Sequence, residues 1–257
     1  MGGLVLALGG GGARGFAHLG VLQALSREKI PIAGLVGTSM GAAVAAVFGA
    51  GADLGMLERF AAVFPWGNIL DVRLPRLGLA GGERIQTILR LLTKGKSLDE
   101  LDPPVWVVAA DLDLGVPVVF REGPLAPAVM ASAAVPGIFA PIRIQGRRLV
   151  DGGVVAGVPV EIAREMGRPV VAVDVGFDFQ AAAARSILGV LGRVVKIMGM
   201  ELDRRQVIQA DLAIRPPVGI FGSSRFDLAR EIVEAGRSAA ERKLPDLWKL
   251  ICGRAKA

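Results

Sequence analysis

Within its first fifty residues the chain alternates strand, turn and helix twice, and both strand-to-helix turns contain glycine. Leu4-Val5-Leu6-Ala7-Leu8 is a short apolar run that empties into Gly9-Gly10-Gly11-Gly12, and it reads as a buried strand. Phe16, Leu19, Val21, Leu22 and Leu25 then recur at helical spacing until Lys29-Ile30-Pro31 breaks the pattern. Ala33 to Val36 is a second short strand. An Ala- and Val-rich helix follows from about Gly41 to Phe48 and ends in Gly49-Ala50-Gly51. Consecutive strands separated by helices pair in parallel through crossovers. The expected class is therefore α/β: a three-layer α/β/α fold with a mostly parallel central sheet.

Val105 to Ala109, Val116 to Phe120, Arg148 to Val150 and Val170 to Val175 are further strand candidates with β-branched apolar character. Residues 53–104 read as a mostly helical insertion. In it, Ile85, Ile88, Leu89 and Leu92 share one face of a helix over Gly82 to Leu92. Residues 181–202 form an amphipathic helix, with Ile187, Leu191, Val194, Val195, Met198 and Leu202 on one side and Arg185, Gly189, Gly192 and Lys196 on the other. Such a stripe reads first as core packing and second as a docking face for a membrane or a partner. Neither a repeat nor a linker-like composition shift appears. Residues 1–257 are expected to form one domain, with a motif-bearing core over about 4–176 and a basic helical part over about 180–257.

The 52% hydrophobic content and mean hydropathy of +0.51 point to a large core, membrane contact, or both. Ala33 to Ala52 is uncharged and long enough to span a bilayer, but its five glycines, Thr38 and Ser39 suit a strand, a tight turn and a buried helix better. Gly123 to Ile142 contains Pro124, Pro127, Pro136 and Pro141, which break any spanning helix. The N-terminus shows neither a signal-peptide pattern nor a complete myristoylation signal, and the single cysteine, Cys252, suits a reducing compartment. The expected location is cytoplasmic. Residues 180–257 hold 14 of the 30 Lys+Arg and 8 of the 24 Asp+Glu, so the whole net charge of +6 resides there. That part suits peripheral contact with an anionic membrane surface. Nucleic acid is not an expected partner, because no supporting motif exists and the chain has no tyrosine. Oligomeric state is not legible.

The chemistry-bearing residues lie at strand ends. Gly37-Thr38-Ser39-Met40-Gly41 has the G-x-S-x-G pattern, placed after a strand and before a helix as a nucleophile elbow requires. A serine hydroxyl needs a base to attack an acyl carbon. The chain has one histidine, His18, set among apolar residues on the helix after the glycine loop, where a packing role is the expected one. Asp151-Gly152-Gly153 follows the strand Arg148 to Val150 and offers a carboxylate beside two small residues; Asp111, Asp113 and Asp174 also lie near strand ends. Gly10 to Gly15 matches G-x-G-x-x-G, with Glu28 roughly where a ribose-binding acid would stand, which admits a dinucleotide site. The same glycines can instead converge backbone N–H groups on an oxyanion, and this reading alone also uses the elbow. Without a plausible His/Cys ligand set, a zinc or thiol centre is not expected.

Taken together, Gly10-Gly11-Gly12-Ala13-Arg14-Gly15, Gly37-Thr38-Ser39-Met40-Gly41 and Asp151-Gly152-Gly153 resemble, in order and spacing, the motifs of patatin-like phospholipases. The segment Ala131-Ser132-Ala133-Ala134-Val135-Pro136-Gly137-Ile138-Phe139-Ala140-Pro141 is similar to a block in bacterial members. The resemblance implies a patatin-like α/β fold and a Ser–Asp dyad, with Ser39 as nucleophile and Asp151 as base. It also implies an oxyanion hole from the amides of Gly10, Gly11 and Gly12. Arg14 would brace the loop or favour an anionic headgroup, and Gly15, Gly37, Gly41, Gly152 and Gly153 would complete the motifs. The substrate would be a lipid or other acyl ester, hydrolysed through an acyl-enzyme without metal or organic cofactor. Thioesterase or acyltransferase chemistry on the same dyad, nucleotide binding at Gly10 to Gly15, and a non-catalytic membrane-associated role are the alternatives. One departure is visible: Ala156-Gly157 stands where bacterial relatives often carry Asn-Pro, so a polar contact behind the aspartate is expected to be missing.

Overall fold

The computed structural model describes residues 3–68, 82–167, 169–176 and 187–253. Five strands form the parallel part of the sheet: β1 (Leu4–Leu8), β2 (Ile32–Thr38), β3 (Val105–Asp111), β7 (Val170–Val173) and β8 (Leu212–Ile214). Their order is β8-β7-β1-β2-β3. Three strands run antiparallel to their neighbours: β4 (Pro117–Phe120), β5 (Ile142–Ile144) and β6 (Arg147–Asp151). The sheet is thus mixed: its parallel strands run from the β8 edge to β3, its antiparallel strands extend it beyond β3, and helices flank it.

The register along β3 is unusual and positions everything that follows. Val108 pairs with Thr38 of β2 and also with Val119 of β4, so those two strands lie on opposite edges of β3. Ala109 pairs with Val118 of β4 and with Asp151 of β6, so β6 shares the edge that β2 occupies. β2 and β6 therefore abut end to end along one edge of β3. Because β6 is antiparallel, both strands point their C-terminal ends into the junction.

The helices are α1 (Ala17–Arg27), α2 (Met40–Gly49), α3 (Leu54–Val63), α4 (Glu83–Leu92), α5 (Leu125–Ser132), α6 (Val160–Met166), α7 (Ile187–Val207), α8 (Ala229–Glu241) and α9 (Leu244–Cys252). All five residues of β1 are buried, and successive side chains enter opposite cores. Leu4, Leu6 and Leu8 join Leu19, Leu22, Val44 and Ile232 on one face. Val5 and Ala7 join Val158, Ile162 and Val207 on the other. This is why β1 reads as a continuous apolar run instead of an alternating one.

Two helices more than 200 residues apart in sequence are joined by backbone contact. A Cβ placed on Gly20 of α1 would fall 1.9 Å from the Val233 carbonyl oxygen of α8, and one on Gly236 of α8 would fall 2.0 Å from the Ala17 carbonyl oxygen. The absence of side chains at these two positions lets the helix axes close, so α8 is clamped onto the helix that follows the glycine loop. The insertion packs on the same side: Trp66 stacks on Phe226, with ring centroids 5.0 Å apart, and meets Phe16 at 5.3 Å.

Four members of the amphipathic stripe read over 181–202 as core packing do not face the core. Ile187, Val194, Met198 and Leu202 are exposed, as are Val190 and Ile197. The helix instead packs near the segment after β6 through Gly199, Asp203 and the buried Val207. A small residue and a hydrogen-bonded carboxylate thus take part in this contact; residues 181–186 lie outside the described residues. Among the described residues, no helix is long and apolar enough to cross a membrane.

The α1–α8 contact sets up an inversion of helix propensity. Gly20→Ala improves intrinsic propensity by roughly 1 kcal/mol. The clash with the Val233 carbonyl outweighs this, and a net loss of about 1–3 kcal/mol is expected. A lowered urea midpoint at unchanged m-value is the measurement; an unchanged or raised midpoint would refute the contact.

Candidate active site

At the β2–β6 junction the two strand ends bring a hydroxyl and a carboxylate together. The Ser39 Oγ–H donates to Asp151 Oδ2 at 2.6 Å. Both residues are nearly buried, at 8% and 7% exposure, so the hydrogen bond lies largely out of bulk water. Ser39 has φ 54 and ψ −121, a region that L residues avoid at a cost of roughly 1–3 kcal/mol. The surroundings hold it there. Its N–H donates to Ser132 Oγ (2.8 Å), and the Ser132 hydroxyl donates to the Val108 carbonyl (2.5 Å). Thr38 Oγ1 donates to the Ala156 carbonyl at 2.8 Å. The elbow thus hangs on β3 through Ser132 and on the post-β6 turn through Thr38. α2 begins at Met40, so its positive N-terminal end lies beside the serine.

Asp151 Oδ1 accepts the Gly153 N–H at 2.7 Å, which leaves Oδ2 for Ser39. Burial pushes its pKa up to about 6, while the hydrogen bonds from Ser39 and Gly153 pull the other way. A carboxylate so tuned is ionised at pH 7 yet closer in basicity to an incoming proton than an exposed aspartate. The other strand-end aspartates are engaged locally. Asp111 accepts the amides of Asp113 and Leu114, Asp113 pairs with Arg148, and Asp174 accepts the Gly176 amide and pairs with Arg215 at 3.6 Å.

The glycine loop lies flush against the serine. A Cβ on Gly10 would stand 3.3 Å from Ser39 Cβ, so any side chain here would press on that of Ser39. The loop is stitched down by three amides: Gly9 N–H to the Val173 carbonyl (3.0 Å), Gly10 N–H to the Gly157 carbonyl (2.9 Å) and Ala13 N–H to the Ser223 carbonyl (2.8 Å). The Gly10 amide is therefore committed to the protein, which removes it from the donor set expected over Gly10, Gly11 and Gly12. The guanidinium of Arg14 is buried and faces inward, Nε donating to the Phe221 carbonyl (2.7 Å) and Nη2 to that of Gly219 (3.2 Å). Of the two roles open to Arg14, these bonds are those of a brace.

His18 Nε2 lies 2.7 Å from the Gly9 carbonyl oxygen, so this nitrogen carries the proton. Full burial lowers the pKa of the imidazole to about 4, with the Gly9 carbonyl opposing, and the ring is neutral at pH 7. It supports the loop; the serine's hydrogen-bond partner is Asp151. Gly15 completes the loop by leaving room for Met40, whose Cγ would be 2.2 Å from a Cβ there. Sequence reasoning does not find Ser132, Thr38 and Gly157 as parts of the site. Ser132 lies in the 131–141 block, but its contact with Ser39 spans 93 residues and leaves no local pattern.

The patatin-like phospholipase family model matches residues 6–164. An uncharacterised NTE family protein of Mycobacterium tuberculosis is 40% identical over 166 residues, covering 61% of this chain and 44% of that protein. A patatin-like phospholipase domain-containing protein of Caenorhabditis elegans is 28% identical over 266 residues, covering 90% of this chain and 20% of its own. Patatin-like phospholipase domain-containing protein 6 of Mus musculus is 30% identical over 184 residues, 67% of this chain and 13% of that one. The chain thus spans less than half the length of these relatives. Among solved structures, VipD from Legionella pneumophila superposes with a TM-score of 0.65 at 15% identity, covering 95% of this chain and 66% of that one. The type III effector ExoU gives 0.54 at 14% identity, covering 95% and 53%. These two likenesses are of fold.

Two stability outcomes follow from the site. Ser39→Gly relieves the strained φ and is expected to be about 1 kcal/mol more stable than Ser39→Ala; equal chemical-denaturation midpoints would deny the strain. Asp151 has a folded pKa above its unfolded value, so its contribution is full below pH 4 and is lost as pH rises to about 6. The loss is on the order of 3 kcal/mol. Asp151→Asn should therefore unfold at higher temperature than wild type at pH 8 and lose that advantage near pH 4, as scanning calorimetry at the two pH values would report.

Proposed function

The chain belongs to the patatin-like phospholipase family, and from that premise we propose that it is a serine lipid acyl hydrolase of phospholipase A or carboxylesterase type. The observation that carries the proposal is the 2.6 Å hydrogen bond from Ser39 to Asp151 in a nearly buried junction. In this reading Asp151 takes the hydroxyl proton as Ser39 Oγ attacks the ester carbonyl carbon. The amides of Gly11 and Gly12 receive the charge that develops on the carbonyl oxygen. Collapse of the tetrahedral intermediate expels the alcohol, which leaves with the proton held by Asp151. Water then gives a proton to Asp151 as it attacks the acyl-serine, and the bond to Ser39 Oγ breaks as Asp151 returns that proton to it, releasing the fatty acid.

An anionic lipid surface is the partner we infer. The exposed apolar residues Ile187, Val190, Val194, Ile197 and Met198 of α7 lie in the same part of the sequence that carries the whole net charge of +6. Apolar insertion and headgroup attraction act together in such peripheral contacts. The single cysteine is in keeping with a cytoplasmic setting. The braces from residues 219–223 to the glycine loop support treating the C-terminal part as one unit with the motif-bearing core.

A fluorophosphonate probe with mass-spectrometric site mapping tests the chemistry directly. Wild type is expected to label at Ser39, Ser39→Ala not at all, and Asp151→Asn roughly 10²–10⁴-fold more slowly. Hydrolysis of an acyl ester should fall as pH drops through about 6, where Asp151 takes up its proton. His18→Ala should retain measurable hydrolysis. A folded but inactive His18→Ala alongside an active Asp151→Asn would sink the dyad.

A further inference from the structure

One hydrogen-bonded chain passes beside Ser39 and ends outside the elements that carry the family's motifs. His18 Nε2–H donates to the Gly9 carbonyl at 2.7 Å. The same peptide unit presents the Gly10 N–H, which donates to the Gly157 carbonyl at 2.9 Å. The Gly157–Val158 peptide in turn presents the Val158 N–H, which donates to Asp203 Oδ1 of α7 at 2.9 Å. Donors and acceptors run in one direction through two peptide planes, from an imidazole to a carboxylate. Bonds aligned in this way polarise one another, and an anionic acceptor at the end strengthens the set.

We propose that Asp203 is a positioning residue for the glycine loop, acting through the Gly157–Val158 peptide to fix the Gly9–Gly10 peptide beside Ser39. Gly157 suits this arrangement, because a Cβ there would lie 2.3 Å from Asp203 Oδ1 and would displace the carboxylate. The nearby Gly157 amide also favours the ionised form of the Asp203 carboxylate. The polar support that the Ala156-Gly157 sequence lacks in itself thus comes from α7, 45 residues downstream. The consequence for chemistry is that the chain's aligned peptides hold the amides of the loop in place before substrate arrives, which is worth most when the oxyanion forms. The proposal rests on the hydrolase reading for its kinetic consequence and on geometry alone for the linkage.

Asp203 is half-buried at a groove of about 360 Å3 lined also by Asp174, Gly176, Ile197, Met200, Glu201 and Arg204, through which protons can reach it. Desolvation, with the Asp174 charge adding to it, raises its pKa to about 7, and the amides of Val158 and Gly157 oppose. The charged groups around it are Asp174 after β7, Arg215 after β8 (paired with Asp174), Glu201 and Arg204 on α7 itself, and Glu161 of α6 opposite Gln206.

Two readouts test the linkage. The first is an amide NMR titration of 15N-labelled protein from pH 5 to 9. In wild type, Val158 and Gly10 are expected to shift together with a midpoint near 7, and in Asp203→Asn both lose that step while any step near 6 from Asp151 persists. The second is kcat and KM on a p-nitrophenyl acyl ester at pH 8. Asp203→Asn and Gly157→Ala should each lower kcat roughly ten- to hundredfold with KM changed less than about twofold, and the double variant should be no worse than the poorer single. A Gly10 amide that still titrates near 7 in Asp203→Asn, or a folded Asp203→Asn with wild-type kcat, would overturn the proposal. Should Asp203→Asn not fold, Gly157→Ala reads the same link by both methods. A wild type that hydrolyses no ester would end the hydrolase reading, and the NMR titration would still decide the linkage.

Discussion

A single shared strand edge governs this molecule. Because β4 fills one side of β3, β2 and β6 must divide the other, and they do so head to head at Val108 and Ala109. Each strand then leaves the sheet at the same place, one as Ser39 and the other as Asp151. Two residues 112 positions apart are brought to 2.6 Å by backbone register, with no need for long flexible side chains. Strand pairing is cooperative and stiff, so the separation of the pair is inherited from the ladder and inherits its precision. The Val108 carbonyl also accepts the Ser132 hydroxyl, which makes the junction a point of support for the elbow.

Around that point the electrostatics are arranged by burial. Water exclusion makes His18 neutral and Asp151 reluctant to ionise, and the two shifts have opposite consequences. A neutral imidazole with its Nε2–H turned to a carbonyl is a fixed donor, suited to holding a loop. A carboxylate raised toward neutrality is a poorer structural anion and a better proton acceptor. The instability carried by Asp151 and by the strained Ser39 backbone is concentrated within a few ångströms, as expected where a site opposes the stability of its scaffold.

Much of this is legible in the sequence because it is local. The strand β1, the helix after Gly12, the elbow around Ser39 and the Asp151-Gly152-Gly153 turn each declare themselves through periodicity or small-residue clusters. β5 and β8 escape because three residues are too few to show a period. The α7 stripe reads as core because apolar spacing reports a face and not what covers it; here Asp203 and Val207 dock, while Ile187, Val194, Met198 and Leu202 are exposed. The Gly10 amide misleads for a similar reason. A glycine run signals backbone groups free to converge, and only the fold shows that one of them is already bonded to Gly157.

The braces on the glycine loop also bear on the order in which the protein is made. The motif residues Gly10, Ser39 and Asp151 all precede residue 152, whereas the carbonyls that hold Ala13 and Arg14 belong to Ser223, Phe221 and Gly219, and α8 clasps α1 through Gly236. Contacts separated by more than 200 residues close late, because the loop entropy is met only once both ends exist. A chain emerging from the ribosome thus displays its serine and aspartate well before the segment that fastens the loop beside them. Assembly of the site is deferred until residues 219–236 have been made, and a shorter nascent chain has no braced loop beside its serine.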